Sequence, residues 1–239
     1  FFETSAGNVI NDYFDYQIDL INKPERPIPS GRISLTNGRN YGYLMFLLGT
    51  ICGFLISFLT GNWIPFIIVL IADVILYLYA YKLKSTPLIG NLAVGFMTGF
   101  GFVFAGFSIN NPDIIFTSIF LGFFAFVMTT ARELVKDIED MEGDKAEGAK
   151  TLPILYGEKI TAILAFILII IDCALCPMLY YFNIFGLYYL IIIAVAVLLF
   201  IYSAILIIKN QDRQTAAKVS KYLKMGMLIA FVSFIFGSF

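Results

Sequence analysis

The chain has 239 residues, 59% of them hydrophobic and 14% charged, with 16 Lys and Arg against 17 Asp and Glu for a net charge of -1. Its strongly positive mean hydropathy excludes an ordinary soluble domain and marks a membrane protein. The absence of histidine from the sequence excludes Ser-His-Asp triads, histidine-ligated zinc and imidazole proton shuttles, so any chemistry rests on carboxylates, metals and basic side chains.

The chain opens at Phe1 without a methionine, shortly before its first polar cluster, and a further helix ahead of it is expected. The first predicted element is an amphipathic helix that carries Asn11, Asp15 and Asp19, with Asp12 beside them, in NDYFDYQID. Spacing of i, i+4 and i+8 projects from one helix face, so the cluster is a strip of oxygen ligands. The segment INKPERPIPSGRISLTNGR follows, with three prolines, two glycines and four basic residues, and breaks the helix into a loop.

Seven long apolar stretches come next, at 40–59, 63–81, 88–109, 113–134, 160–181, 184–208 and 222–239. Each is near the roughly 20 residues that span a bilayer as a helix. With the amphipathic start they predict about eight helices in an all-α, polytopic transmembrane bundle forming a single domain over 1–239. A second strip, Asp137, Asp140 and Asp144 in KDIEDMEGD, has i, i+3 and i+7 spacing and leads into another basic loop, a weak internal repeat of the first.

Like charges packed so closely repel, and a hard divalent cation such as Mg²⁺ relieves the repulsion. Two such strips facing each other would hold a diphosphate through bridging metal ions. A solvated acidic helix end is the plainer reading, but ionisable groups at membrane depth are costly and tend to face a cavity or partner.

If the helices alternate direction, every Lys and Arg falls on one side, while the connections around 60–62, 108–113 and 182–186 contain none. The positive-inside rule makes the basic face cytoplasmic, and both strips lie on it. Topology alone explains the basic residues of 209–224. It explains less well Arg26 and Lys150, which flank the strips, where a metal-bound diphosphate needs further neutralisation. Lys23, Arg32, Lys82, Lys84, Arg132 and Lys145 share those loops and helix ends. Asp73 and Asp172 sit in apolar helices and are expected to make interhelical hydrogen bonds, and Cys52, Cys173 and Cys176 are expected to act as small apolar residues rather than as a disulfide or metal set.

The two strips together resemble the UbiA superfamily of intramembrane prenyltransferases. Asn11, Asp12, Asp15 and Asp19 match its N-D-x-x-D-x-x-x-D motif and are followed by KPERPIPSGRIS. Asp140 and Asp144 match its D-x-x-x-D motif, with Asp137 upstream and Lys150-Thr151 downstream, and Lys82 resembles the family's basic residue after LYLYAYK. The resemblance implies a nine-helix bundle, two Mg²⁺ ions and transfer of a prenyl group from its diphosphate.

On that reading Asp15, Asp19, Asp140 and Asp144 are catalytic, and the metal ligands are these four with Asn11 and Asp137. Substrate is bound by Asn11, Asp12, Lys23, Arg26, Arg32, Lys82, Arg132, Asp137, Lys145 and Lys150. Within the family, the wording of the first motif is similar to members that move a geranylgeranyl group to the glycerol hydroxyl of geranylgeranylglyceryl phosphate in archaeal ether-lipid biosynthesis. Prenyl transfer to an aromatic acceptor is the alternative, and a Mg²⁺-dependent channel or carrier a remote one. The expected partners are the prenyl diphosphate donor, a phosphate-bearing lipid acceptor and membrane lipids, with no nucleic acid and no obligatory protein.

Overall fold

Hydrocarbon offers the backbone no hydrogen bonds, so a spanning segment must satisfy its own polar groups, and the helix does so within one segment. The computed structural model describes residues 1–146 and 148–237. Among them the elements are α1 (Phe2–Phe14), α2 (Tyr16–Asn22), α3 (Leu35–Thr60), α4 (Ile64–Tyr81), a 3-10 turn at Leu83–Ser85, α5 (Ile89–Ile109), α6 (Pro112–Ala146), α7 (Leu152–Tyr156), α8 (Glu158–Leu175), α9 (Met178–Tyr181), α10 (Leu187–Lys209) and α11 (Arg213–Gly237).

Among the described residues seven segments are long and apolar enough to cross a membrane: α3, α4, α5, α6, α8 continued through α9, α10 and α11. They fall in the order of the seven predicted stretches, and the differences lie at the ends. Helix α3 starts at Leu35, inside the predicted loop, because Ser34 caps it by accepting a hydrogen bond from the Asn37 N–H at 3.2 Å. Helix α11 starts at Arg213, with Asp212 accepting from the Thr215 N–H at 2.9 Å. The last two residues of the predicted 222–239 stretch, Ser238 and Phe239, lie outside the described residues. Helix α6 runs on for 35 residues, so one continuous helix carries both an apolar span and the second strip.

The first strip is not on one unbroken helix. Asp15 lies between α1 and α2 at φ -84° and ψ 2°. The helical winding nevertheless carries through, because the Asp15 N–H donates to the Asn11 carbonyl at 2.9 Å and the Asp19 N–H to the Asp15 carbonyl at 2.8 Å.

The chain divides into two compact units, one of residues 1–84 with 100–119, the other of 85–99 with 120 onward. In the first, α3 offers a row of glycines to its neighbours. Gly42 receives Ile10 of α1, Gly49 receives Glu3, Gly53 receives Val69 of α4, and Gly38 receives Ile28 of the loop. A methyl on Gly42 would stand 2.7 Å from the Ile10 Cδ1, so only hydrogen fits there, as small residues permit wherever membrane helices approach closely. After α3, Asn62 donates to the Phe107 carbonyl and to the Asn110 side chain, both at 3.2 Å. Asp73 accepts from Thr50 on α3 at 2.8 Å.

The second unit has an apolar core in which Leu134, Val135 and Ile138 of α6 pack with Ala165 and Ile169 of α8, Tyr189 and Phe200 of α10, and Leu223 of α11. The Tyr189 hydroxyl donates to the Cys176 carbonyl at 2.6 Å. Cys52, Cys173 and Cys176 are all free thiols. Asp172 is buried, and its Oδ1 has no hydrogen-bond partner among the described residues.

Helices α5 and α6 meet tightly within the second unit, where a methyl on Gly99 would lie 2.5 Å from the Gly122 carbonyl oxygen. Backbone cannot rotate away. Gly99→Ala therefore lowers stability by about 1–3 kcal/mol, read as a drop in the thermal unfolding midpoint in detergent. Gly101→Ala, facing open space, leaves that midpoint unchanged or raises it.

Candidate active site

The first strip is held by two basic side chains from different parts of its own unit. Arg26, in the loop after α2, reaches back so that a single nitrogen, Nη1, donates to Asp12 Oδ1 and Asp19 Oδ2, each at 2.7 Å. Lys84, in the turn after α4, places its ammonium on Asp15 Oδ1 and 3.3 Å from Asn11 Oδ1. The Asn11 amide donates to the other Asp15 oxygen at 2.8 Å. The six residues thus form two groups of three, Arg26 with Asp12 and Asp19, and Lys84 with Asn11 and Asp15.

Asp19 is only 3% exposed, and an unpaired carboxylate there would be costly. Burial raises the Asp12 pKa above its usual value; Arg26 pulls it down, while Asp19 and Asp15 push it further up. Burial opposes the charge on Arg26, but the hydrogen bond to Asp19 and the nearby charges of Asp12, Asp19 and Asp15 outweigh it and raise its pKa. The loop is also tied to itself. Arg32 donates from Nε to Ser30 at 3.0 Å and from its guanidinium to the Glu25 carbonyl, and the Lys23 N–H closes α2 on the Asp19 carbonyl. The side chains of Lys23, Arg32 and Lys82 are exposed.

The second strip lies on the last turns of α6. The buried Asn91 of α5 donates from its amide to Asp137 Oδ2 at 2.9 Å. Asp140 is exposed and Asp144 half-buried. Arg132 pairs with its neighbour Glu133 at 2.8 Å, and its Nε is buried without an acceptor among the described residues. After the helix, the Ala149 N–H donates to the Asp144 carbonyl and the Lys150 N–H to the Ser85 carbonyl, at 2.9 and 3.0 Å, which fixes the basic loop next to the turn that follows α4. Lys145 and Lys150 are exposed.

Sequence reasoning missed two of these residues as site members. Lys84 was expected only as one of several surrounding basic residues, with Lys82 chosen for the site, and it is Lys84 that touches the strip. Asn91 carried a usable signal, since it is a polar residue inside the apolar segment IGNLAVG and such residues seek a partner.

The donors suit Mg²⁺ in kind, being carboxylate and amide oxygens. Among the described residues no three acidic or thiol side chains converge into a ready cage. That is compatible with an ion that is usually held by one or two carboxylates together with substrate phosphates and water.

Seven helices long and apolar enough to cross a membrane among the described residues define an integral membrane protein. The chain belongs to the UbiA prenyltransferase family, whose model matches residues 1–234, and is a prenyltransferase. It is 68% identical over its whole length to digeranylgeranylglyceryl phosphate synthase of Methanobrevibacter smithii, covering 84% of that protein, and 51% identical to the synthase of Methanosphaera stadtmanae, covering 85% of it. Among solved structures, one described as concerning digeranylgeranylglyceryl phosphate synthase in membranes is 42% identical with a TM-score of 0.86, over 99% of this chain and 82% of that one. A UbiA homologue from Archaeoglobus fulgidus bound to GPP and Mg²⁺ shares the fold, with a TM-score of 0.62 at 17% identity over 97% of this chain and 83% of that one.

Arg26→Ala strands two carboxylates, one of them buried, and is expected to cost about 1–3 kcal/mol of stability. The check is thermal unfolding in detergent, where Arg26→Lys recovers part of the loss.

Proposed function

We propose that the protein transfers a geranylgeranyl group from geranylgeranyl diphosphate to the glycerol hydroxyl of geranylgeranylglyceryl phosphate, forming an ether bond of archaeal membrane lipids. The observation that carries this reading is the 68% identity, across the entire chain, to a relative named as that synthase. In the reaction the bond between the prenyl carbon and the diphosphate oxygen breaks, the glycerol oxygen bonds to that carbon, and the hydroxyl proton is released.

The difficulty lies in separating an anionic leaving group from an allylic cation, and the carbon is reactive enough once that has happened to need no strong base. Arg26 and Lys84 of the first strip, with Lys82, Arg132 and Lys150, neutralise the departing diphosphate. Asp15, Asp19, Asp140 and Asp144 would hold Mg²⁺, as two ions, with Asn11 and Asp137 assisting and Asp12 orienting Arg26. Magnesium, when bound, supplies positive charge to the diphosphate oxygens. Lys23, Arg32 and Lys145 lie in the basic loops available to the acceptor's own phosphate. The distribution of Lys and Arg supports a cytoplasmic position for both strips.

Purified protein given geranylgeranyl diphosphate together with both geranylgeranylglyceryl phosphate and 4-hydroxybenzoate is expected to form the diether with Mg²⁺ and not with EDTA. Prenylated 4-hydroxybenzoate in place of the diether would overturn the acceptor. Asp15→Ala and Asp140→Ala should each lower turnover about 100-fold or more while the detergent-solubilised protein keeps its helical circular dichroism; near-normal turnover in both variants refutes the assignment of the strips.

A further inference from the structure

The first strip already carries its own cations. Both oxygens of Asp15 are engaged, one by the Asn11 amide and one by the Lys84 ammonium, and Asp12 and Asp19 share one guanidinium nitrogen. Three carboxylates against two cations leave these five side chains with one net negative charge. A divalent ion that approached this arrangement would meet little net attraction, and it would have to displace Lys84 to reach Asp15 Oδ1.

We propose that Lys84 and Arg26 act as resident counter-ions that compete with the divalent cation for the carboxylates of the first strip, so that metal binds tightly only when a diphosphate is present to draw the two basic side chains away. The inference rests on the reading above that this strip takes a metal-bound prenyl diphosphate, and it adds an order and a coupling to that reading. A lysine ammonium is a point charge on a flexible four-carbon stem, and Lys84 extends from a short turn rather than from a helix interior, so it is placed to change partners. Arg26 likewise reaches its two aspartates from the loop that follows α2. When a diphosphate enters, its oxygens give both cations a new partner, and Asp15 and Asp19 are freed for the metal.

The exchange keeps Asp15 and Asp19 paired with a cation at each stage. By linkage, whatever factor the diphosphate contributes to metal affinity, the metal returns to diphosphate affinity. An enzyme built this way does not fill with metal alone, and it does not hold a bare diphosphate as firmly as the metal complex.

The test is a titration of the full chain in detergent with Mn²⁺ as a stand-in for Mg²⁺, with free Mn²⁺ read by electron paramagnetic resonance. Lys84→Met is expected to bind Mn²⁺ about tenfold more tightly than the wild type when no diphosphate is present. Lys84→Gln, which drops the charge and keeps a donor for Asp15, moves in the same direction and serves if the methionine variant does not fold. Lys82→Met removes an exposed charge two residues away and is expected to change Mn²⁺ affinity less than threefold.

Saturation with geranylgeranyl S-thiolodiphosphate, an unreactive donor analogue, raises Mn²⁺ affinity more in the wild type than in either Lys84 variant. Unchanged or weaker Mn²⁺ binding in both Lys84 variants overturns the proposal, as does an equal gain in Lys82→Met. Either result beside a wild type that makes the diether removes this inference alone. A wild type that makes no diether and binds no Mn²⁺ even with the analogue removes the functional reading beneath it.

Discussion

Helix α1 can lie against α3 only because the residues beneath it are glycines. Gly42 and Gly49 give Ile10 and Glu3 somewhere to go, Gly38 does the same for Ile28 in the loop, and Gly53 admits α4 through Val69. Lipid tails are as apolar as the helices, so membrane helices associate through this kind of close van der Waals fit rather than through the hydrophobic effect. The polar strip begins one residue past Ile10, and its position depends on that seating. Loop and strip are then fixed from two sides, with Ile28 on α3 and Arg26, two residues earlier, on Asp12 and Asp19.

Charge follows from the same economy. A buried acid must find a donor or a cation, and the protein uses both solutions. Asp73 has the Thr50 hydroxyl, Asp137 has the Asn91 amide, and the first strip has Arg26 and Lys84. The last of these is the one that a polyanionic ligand can take apart, because cations can move to phosphate oxygens whereas a hydroxyl or amide in a packed helix has less to gain by moving.

Much of this was legible in the sequence. The seven spans follow from apolar run length, and both strips from carboxylate spacing in a chain with few charges. Other features depend on local geometry that periodicity does not record. Lys82 was placed in the site by its resemblance to the family's basic residue after LYLYAYK, but α4 is succeeded by a 3-10 turn at Leu83–Ser85, and it is Lys84 that reaches Asp15. The break at Asp15 was hidden because hydrogen bonds on both sides of it keep helical spacing. The early start of α3 at Leu35 was masked by the prolines and glycines just before it, although Ser34 is a good cap. Asn91 was overlooked because a single amide in an apolar segment looks like noise until its partner on another helix is known.

Helix α6 is 35 residues long, about 52 Å at the rise of an α-helix, while the hydrocarbon of a bilayer is about 30 Å thick. Its residues 114–131 carry no charge and its last turns carry Arg132, Lys136, Asp137, Asp140 and Asp144, so roughly 20 Å of it has no place in the oil. The second strip thereby stands at headgroup level. Under the proposed function, a lipid substrate keeps its phosphate among the other headgroups, with its waters and counter-ions, and slides in sideways with only its isoprenoid tail in hydrocarbon. The cost of dragging a phosphate into the membrane interior never arises, and a substrate too insoluble to diffuse through water need never leave the leaflet in which it was made.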